Sequence, residues 1–243
     1  MKKLLFFVLI GLVISCTTNS ESVVDNTEGP NITDIDGNTY QSVIIGSQTW
    51  FKQNLNVSKY SDGTPIPEVN DPNEWNNLTT GAWCYYNNDP VNGSIYGKLY
   101  NWYAVAGIYD EDSFYDTTLR KKLAPTGWHI PNNSDCICES EWTKLINFLG
   151  GRFVAGGKLK EEGTMHWQSP NTSTNISRFT ALPGGYRGNF GTFDNITNNA
   201  GFWTSSESDF SSAWFYFLYN DLIIIDQASN SKKFGYSVRC IMD

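Results

Sequence analysis

The stretch of sequence that decides the fold lies between residues 155 and 187. Residues 155–167 read AGGKLKEEGTMHW, and residues 179–187 read FTALPGGYR. Residues 202–207 (FWTSSE) and 236–240 (YSVRC) continue the pattern towards the C-terminus. Glycines, tryptophans and small polar turns follow one another in an order too specific to result from composition alone. Such a chain predicts short strands and ordered loops, with aromatic side chains as the large fillers of the core.

Residues 139–149 carry the clearest helical pattern. Four apolar side chains recur at helical spacing, namely Trp142, Leu145, Ile146 and Leu149. Gly150 and Gly151 follow and predict the end of the helix. A short helix is also predicted over residues 100–105, and a helical turn over residues 157–162.

Strand patterns lie on both sides of these helices. Residues 40–45 and 49–55 predict a hairpin that turns at Gly46 and Ser47. Further strands are predicted at residues 213–218, 222–226 and 236–242. Because the helices precede a run of antiparallel strands, the expected fold class is α+β.

The composition narrows the possible partners. Aromatic residues make up 15% and charged residues only 17% of the 243 residues, and the formal net charge is −8. This acidic balance argues against a nucleic-acid partner, because nucleic-acid binding requires a basic face. No linker or repeat of fixed period interrupts residues 32–243, so we expect them to form one domain.

The N-terminus predicts export and a lipid anchor. Two lysines precede an apolar run over residues 4–14, which is shorter than the about 20 residues that span a bilayer and is typical of a signal peptide. Residues 13–16 (VISC) resemble a bacterial lipobox. We therefore expect residues 1–15 to be a lipoprotein signal peptide and Cys16 to carry the lipid. An ordinary secretory signal with a chance cysteine is the alternative.

Residues 16–31 are polar, contain no aromatic residue and predict a flexible tether between lipid and domain. The expected location is the bacterial cell envelope. There the lipid on Cys16 would hold the protein to the membrane, most simply the outer membrane. The periplasmic and the surface face are both open.

Four more sequence blocks lie upstream of residue 155: residues 34–37 (DIDG), 83–89 (WCYYNND), 97–105 (GKLYNWYAV) and 125–131 (PTGWHIP). Together with the blocks quoted above, and in the same order, they resemble the Fibrobacter succinogenes major paralogous domain, a family of bacterial cell-envelope proteins. That family is similar in turn to C-type lectin-like folds, including the formylglycine-generating enzymes. The resemblance implies an α+β, C-type lectin-like domain with two main helices, antiparallel strands and long ordered loops.

Four cysteines besides Cys16 invite disulfides, because an exported protein meets an oxidising compartment. Four cysteines allow three pairings. The resemblance implies a bridge between Cys84 and Cys240, since lectin-like domains commonly tie the last strand to an earlier element. Cys136 and Cys138 would then form a local pair in what looks like an insertion. A metal or redox role for that pair is the alternative.

A binding role is the first functional hypothesis. Exposed aromatic residues stack on sugar faces, and polar side chains supply directional hydrogen bonds. The candidate ligand-binding residues are Trp75, Tyr85, Tyr86, Tyr186, Arg187 and Phe190. The ligand would be an extracellular glycan or protein, and a structural or adhesion role in the envelope is the alternative. A concave group of aromatic residues with Asn or Asp would favour a glycan.

Enzymatic activity is not expected. Formylglycine-generating chemistry requires a reactive cysteine pair that binds copper, and the only close pair, Cys136 and Cys138, lies in the insertion. A structural Ca²⁺ is a further possibility that the lectin-like resemblance implies, with Asn87, Asn88 and Asp89 as its loop. The competing interpretation of that loop is a simple turn before Pro90.

Overall fold

The computed structural model describes residues 27–133 and 140–243. The strands in these residues are β1 Ile32–Thr33, β2 Thr39–Tyr40, β3 Ser42–Ile45, β4 Gln48–Phe51, β5 Trp83–Cys84, β6 Leu99–Tyr100, β7 Trp128–His129, β8 Gly184–Arg187, β9 Phe193–Ile196, β10 Asn199–Glu207, β11 Ser212–Tyr219, β12 Ile225–Ser231 and β13 Ile241–Met242. The α-helices are α1 Pro72–Asn77, α2 Pro90–Tyr96, α3 Trp102–Val105, α4 Glu111–Tyr115, α5 Glu141–Phe148 and α6 Arg152–Leu159. Short 3₁₀ turns occur at Tyr86–Asn88 and Thr117–Leu119. The class is therefore α+β, as predicted.

The largest sheet has five strands in the order β12-β11-β10-β8-β9. Its neighbouring strands are antiparallel except β8 and β10, which run parallel at the pair Gly185–Ala200. The other strand pairs of this sheet are antiparallel as predicted, and this one pair is an exception. The reason is that β9 forms a hairpin with β8 on the outer edge, so the chain must return past β8 to start β10.

The two faces of this sheet enter different parts of the core. Phe202, Tyr216 and Leu218 point to one face and pack with Trp142 of α5. Phe215 points to the other face and packs with residues of a second cluster. This division follows from the alternation of side chains along a strand.

A second sheet joins the two ends of the domain. Its order is β3-β4-β13-β7, and Ile241 of β13 pairs with Trp50 of β4 and His129 of β7. The C-terminal strand is thus inserted between two strands that come early and midway in the sequence. Folding of this sheet requires the whole domain.

The helix α6 explains the glycines in the deciding stretch. A Cβ atom at Gly156 would lie 2.0 Å from the backbone oxygen of Ile224, and one at Gly157 would lie 2.9 Å from the side chain of Ile223. Only glycine therefore allows α6 to approach the segment that leads into β12. The helix covers Arg152–Leu159, so it begins earlier and is longer than the turn predicted over residues 157–162.

Other local predictions are confirmed. The hairpin consists of β3 and β4 with its turn at Gly46 and Ser47. The clearest helix is α5, which starts at Ser140 because the Ser140 hydroxyl accepts a hydrogen bond from the Thr143 N–H. The two longest helices in the described residues, α5 and α6, have eight residues each, too few to span a bilayer, which requires about 20 residues.

Three predicted boundaries are wrong. The strand predicted at residues 222–226 is β12, which runs from Ile225 to Ser231. Within the strand predicted at residues 236–242, Tyr236 and Ser237 form only isolated bridges, and β13 starts at Ile241. Part of the predicted tether is folded, because the backbone of Thr27 and Gly29 hydrogen-bonds to Ile44 and Ser42 of β3. Cys16 and the rest of the tether up to residue 26 lie outside the described residues.

Buried cations hold the loops in place. Lys160 is fully buried and donates to the backbone oxygens of Tyr219, Asn220 and Leu222, and burial lowers its pKa to about 8. Arg239 is buried as well. Each cation lies over an aromatic ring, Lys160 over Trp167 and Arg239 over Phe179. The same arrangement recurs at Lys98, Arg187 and Lys232.

The predicted disulfide between Cys84 and Cys240 is wrong. Both thiols are free and buried. They belong to different clusters of the core, Cys84 with Trp75 and Leu99, and Cys240 with Tyr40 and Phe51. Burial raises the pKa of both thiols, that of Cys84 to about 12. Cys136 and Cys138 lie outside the described residues.

Candidate functional site

A concave cleft of about 290 Å³ opens on the face of the large sheet that α5 and α6 leave uncovered. It is lined by five aromatic residues, three asparagines and one glycine: Tyr186, Phe215, Phe217, Phe234, Tyr236, Asn195, Asn199, Asn230 and Gly201. We call these nine residues the aromatic cleft.

Strand register brings these residues together. Gly201 of β10 lies opposite Phe217 of β11, and Asn230 of β12 lies opposite Ala213 of β11. Residues two apart on a strand share a face, so Asn199 joins Gly201 and Phe215 joins Phe217. The cleft is therefore a direct result of alternation along β10, β11 and β12.

The rings form a continuous row. Phe217 stacks on Phe215 with 5.3 Å between ring centroids, and Phe215 stacks on Tyr236 at 4.5 Å. Tyr236 stacks on Phe234 at 5.8 Å, and Tyr186 lies 5.8 Å from Phe234. These pairs support one another, so the row is a rigid platform rather than a set of isolated side chains.

Glycine at position 201 makes room for this platform. A Cβ atom there would lie 2.4 Å from Cδ1 of Tyr236. Any side chain at 201 would therefore displace the Tyr236 ring from the sheet.

Asparagine amides orient the two tyrosine hydroxyls. Asn230 Nδ2 donates to the Tyr236 hydroxyl at 3.0 Å, and Asn195 Nδ2 donates to the Tyr186 hydroxyl at 3.2 Å. Since both hydroxyl oxygens accept these bonds, their hydrogens can be donated to a ligand. Burial raises the pKa of Tyr236, so this phenol is neutral at physiological pH. The side chain of Asn199 has no hydrogen-bond partner among residues 27–133 and 140–243.

Only one of the six predicted ligand-binding residues lines the aromatic cleft. Tyr186 points into it, whereas the adjacent Arg187 is fully buried on the opposite side of β8. Arg187 donates to the backbone oxygens of Val69, Asn70 and Gly191. The prediction that Arg187 contacts a ligand is therefore wrong, and this side chain holds the surrounding loops in place.

Trp75 is buried rather than available to a ligand. Its exposed fraction is 0%, its Nε1 donates to the Lys233 backbone oxygen at 2.7 Å, and the Arg187 guanidinium lies 4.3 Å from its ring centroid. Contacts from residues more than 100 positions away bury it, and the polar sequence around it gave no sign of them.

The remaining three candidates lie elsewhere. Tyr86 is buried against Phe193, with 5.3 Å between ring centroids, and Tyr85 is half-buried under Lys98. Phe190 is 70% exposed at the tip of the β8–β9 hairpin and does not line the cleft. The residues that sequence reasoning missed, such as Phe217 and Asn199, could have been found from the alternation in residues 199–203 and 213–219.

The loop proposed for calcium serves to start a helix. Asn87 and Asn88 have positive φ, and Asp89 caps α2 by accepting a hydrogen bond from the Val91 N–H. Asn88 Nδ2 donates to the Asn70 backbone oxygen at 3.2 Å. In the described part of the chain, no three His, Cys, Asp or Glu residues cluster around a common point. Calcium at this loop stays a prediction.

A second cleft, of about 530 Å³, lies between β4 and α2 and is rich in side-chain amides. Its amides are already engaged within the protein. Asn54 donates to the Tyr96 backbone oxygen and accepts from Arg239, and Gln41 and Gln53 bond to each other. The smaller aromatic cleft has the uncommitted amide, at Asn199, and the row of rings, so it is the better candidate for a binding site.

Fold and cleft define the class of protein: an α+β domain whose large sheet packs against α5 and α6 on one face and carries the aromatic cleft on the other. The family model of the Fibrobacter succinogenes major domain matches residues 43–242. The chain belongs to this family, as its sequence blocks predicted. No curated protein and no solved structure matches the chain.

Proposed function

We propose that this protein is a lipid-anchored, non-enzymatic binding module of the bacterial cell envelope, and that the aromatic cleft holds a glycan. The observation that carries the proposal is the row of rings beside three asparagines in one concave site. A protein ligand would be better served by a broad apolar surface.

The chemistry of the aromatic cleft suits a sugar. A pyranose ring has a face of C–H groups and a rim of hydroxyls. Phe217 is half-buried and can stack against the C–H face. The amide of Asn199 can both donate to and accept from a hydroxyl, and the Tyr186 hydroxyl can donate. The cleft volume of about 290 Å³ is just below the about 300–1,000 Å³ typical of ligand pockets, and suits one or two sugar units.

The envelope location rests on the N-terminal sequence. A lipid on Cys16 would anchor the protein to the outer membrane, and the polar sequence that follows Cys16 would leave the domain free to meet ligands. The C-type lectin-like relationship of the fold belongs to this proposal as well. Its support is the α+β class with two principal helices and many ordered loops.

A non-enzymatic role is consistent with the described cysteines. A reactive thiol needs a lowered pKa and access to solvent, whereas Cys84 and Cys240 are buried and their pKa values are raised. A formylglycine-generating activity would have to depend on Cys136 and Cys138.

A structural or adhesion role in the envelope is the second candidate. Apolar side chains are exposed around the turn between α5 and α6, with Phe153 at 71% and Phe148 at 41%. Such a surface would suit a protein partner.

Binding of the full chain to a glycan array tests the proposal. We expect saturable binding to one class of glycan, and a loss of at least about tenfold in affinity, or about 1.4 kcal/mol, in Phe217→Ala. The matched control is Phe190→Ala, which removes an exposed ring outside the aromatic cleft. Asn199→Ala provides a second test that leaves every ring in place.

Equal binding by the wild type, Phe217→Ala and Asn199→Ala would place the glycan outside the aromatic cleft. Absence of binding to any glycan would favour the adhesion role. A parallel assay with EDTA tests calcium, because chelation should weaken binding if a Ca²⁺ ion holds the loop at Asn87–Asp89.

A further inference from the structure

We infer that the aromatic cleft selects uncharged glycans and rejects those that carry carboxylate or sulfate groups. The inference rests on the proposed function and specifies the class of its ligand. It follows from where the chain places its charges around the cleft.

No lining residue of the aromatic cleft is charged. The charged groups on the neighbouring ladder positions are acidic. Asp194 of β9 pairs with Tyr186, and Asp226 of β12 pairs with Phe217. The carboxylate of Asp226 is bound by Arg152, so this arginine is not available to a ligand.

The cations closest in sequence to the cleft residues point elsewhere. Arg187 follows Tyr186 but donates on the far side of β8. Lys232 donates to the Phe210 backbone oxygen at 2.9 Å and pairs with Glu207. Lys233 precedes Phe234 but donates to the backbone oxygen of Asn76.

An anionic sugar in this cleft would therefore lose part of its hydration without meeting a cation. Burial of a charge without a partner is strongly unfavourable, and Asp194 at the edge would add repulsion. A neutral sugar loses nothing comparable, because Asn199 and the two phenols replace water at its hydroxyls. The same charge distribution that leaves a neutral glycan unaffected thus excludes an acidic one.

Paired hexasaccharides that differ only in oxidation at C6 test this inference on the full chain. Galactose and galacturonate oligomers form one pair, and mannose and mannuronate oligomers form another. We expect the neutral member of the bound pair to bind at least tenfold more tightly in 20 mM salt. The gap should narrow in 500 mM salt, because salt screens repulsion between charges.

A charge variant sharpens the test. Asn199→Lys places a cation in the cleft and should raise the relative affinity for the uronate at least tenfold. Asn77→Lys is the matched control, since Asn77 is exposed on α1 and the change in net charge is the same. It should leave the ratio unaltered.

The outcomes separate the inference from the proposed function. Equal or tighter uronate binding that is lost in Phe217→Ala would overturn the selectivity and preserve the glycan site. An identical shift in Asn199→Lys and Asn77→Lys would assign the selectivity to net charge and overturn the local argument. Absence of binding to every glycan of the array, neutral or acidic, would overturn the proposed function itself.

Discussion

Both faces of the large sheet carry aromatic side chains, but helix α5 packs against only one of them. On the covered face, Trp142 of α5 lies 4.9 Å from the ring of Tyr216 and 5.8 Å from that of Phe202. On the open face, which carries the aromatic cleft, Phe217 stacks on Phe215 at 5.3 Å, and Phe215 is buried whereas Phe217 is only half-buried. Aromatic content therefore does not distinguish a core from a binding site. The two are distinguished by how far the rings are buried and by the polar side chains that lie beside them.

The side chains that lie beside the rings also differ between the two faces. The aromatic cleft is lined by Asn195, Asn199 and Asn230, whereas Trp142 on the covered face is fully buried among other aromatic rings. Side-chain amides at the edge of a ring platform suit a polar ligand that arrives from water. Three predictions would break or sharpen the comparison.

The largest expected effect is on the covered face. Trp142→Ala should reduce the free energy of unfolding by about 3–5 kcal/mol, because it opens a cavity between α5 and the sheet. Phe217→Ala on the open face should cost much less, because that ring is only half-buried. Urea denaturation of both variants measures the difference. Similar losses would show that the half-buried Phe217 stabilises the fold as much as the fully buried Trp142 does.

The adjacent residues Tyr186 and Arg187 offer a comparison across β8. Arg187→Met should reduce the free energy of unfolding by about 3 kcal/mol, because it leaves buried carbonyl groups unpaired at about 1–3 kcal/mol each. Tyr186→Ala should instead reduce glycan affinity about tenfold and change stability little. Denaturation and binding measured on both variants give the answer. If Arg187→Met stayed folded and bound the glycan more weakly, while Tyr186→Ala bound it normally, Arg187 rather than Tyr186 would belong to the binding site.

The smallest expected effect is a pH dependence at the start of α5. His129 lies between Glu141 at 2.6 Å and Asp243 at 2.7 Å. Partial burial lowers its pKa, but the hydrogen bonds to Glu141 and Asp243 outweigh this, and the net pKa is raised above 6.5. Protonated His129 therefore stabilises the fold fully below the unfolded pKa, and this contribution is lost as pH rises through the folded pKa.

The free energies of unfolding of the wild type and His129→Gln, compared at pH 6 and pH 8.5, measure this contribution of protonated His129. As pH rises, the free energy of unfolding should fall further in the wild type than in the variant. The difference should be less than about 1 kcal/mol, because the ion pairs are partly exposed and screened. Glycan binding at the aromatic cleft should be the same at both pH values. If the free energy of unfolding changed with pH by the same amount in both proteins, His129 would not contribute to the pH dependence.

Local features were predictable where local forces decide. The period of Trp142, Leu145 and Ile146 predicted α5, and the glycines after residue 149 predicted its end. The turn at Gly46 and Ser47 predicted the β3–β4 hairpin. The disulfide was not predictable in this way, since cysteine spacing does not reveal which cluster of the core each thiol enters.

The candidate site was much harder to predict than the elements. Of the predicted residues, only Tyr186 lines the cleft. Trp75 and Arg187 bury each other, and no short-range pattern predicts a contact across more than 100 residues. Phe215, Phe217 and Tyr236 meet only after β11 pairs with β10 and residues 236–237 bridge to β6 and β10. The cleft is a property of the assembled sheet.

The sequence by itself determined the family, the α+β class, the main helix α5 and the alternation that gives β10 and β11 two faces. Only the tertiary structure decided which face is covered, which aromatic residues are buried, and where the uncommitted amide of Asn199 lies. The physical reason is the sequence separation of the residues whose contacts decide each feature. Turns and amphipathic periods depend on neighbours in the chain, whereas burial depends on contacts such as that of Trp75 with Lys233, 158 positions apart.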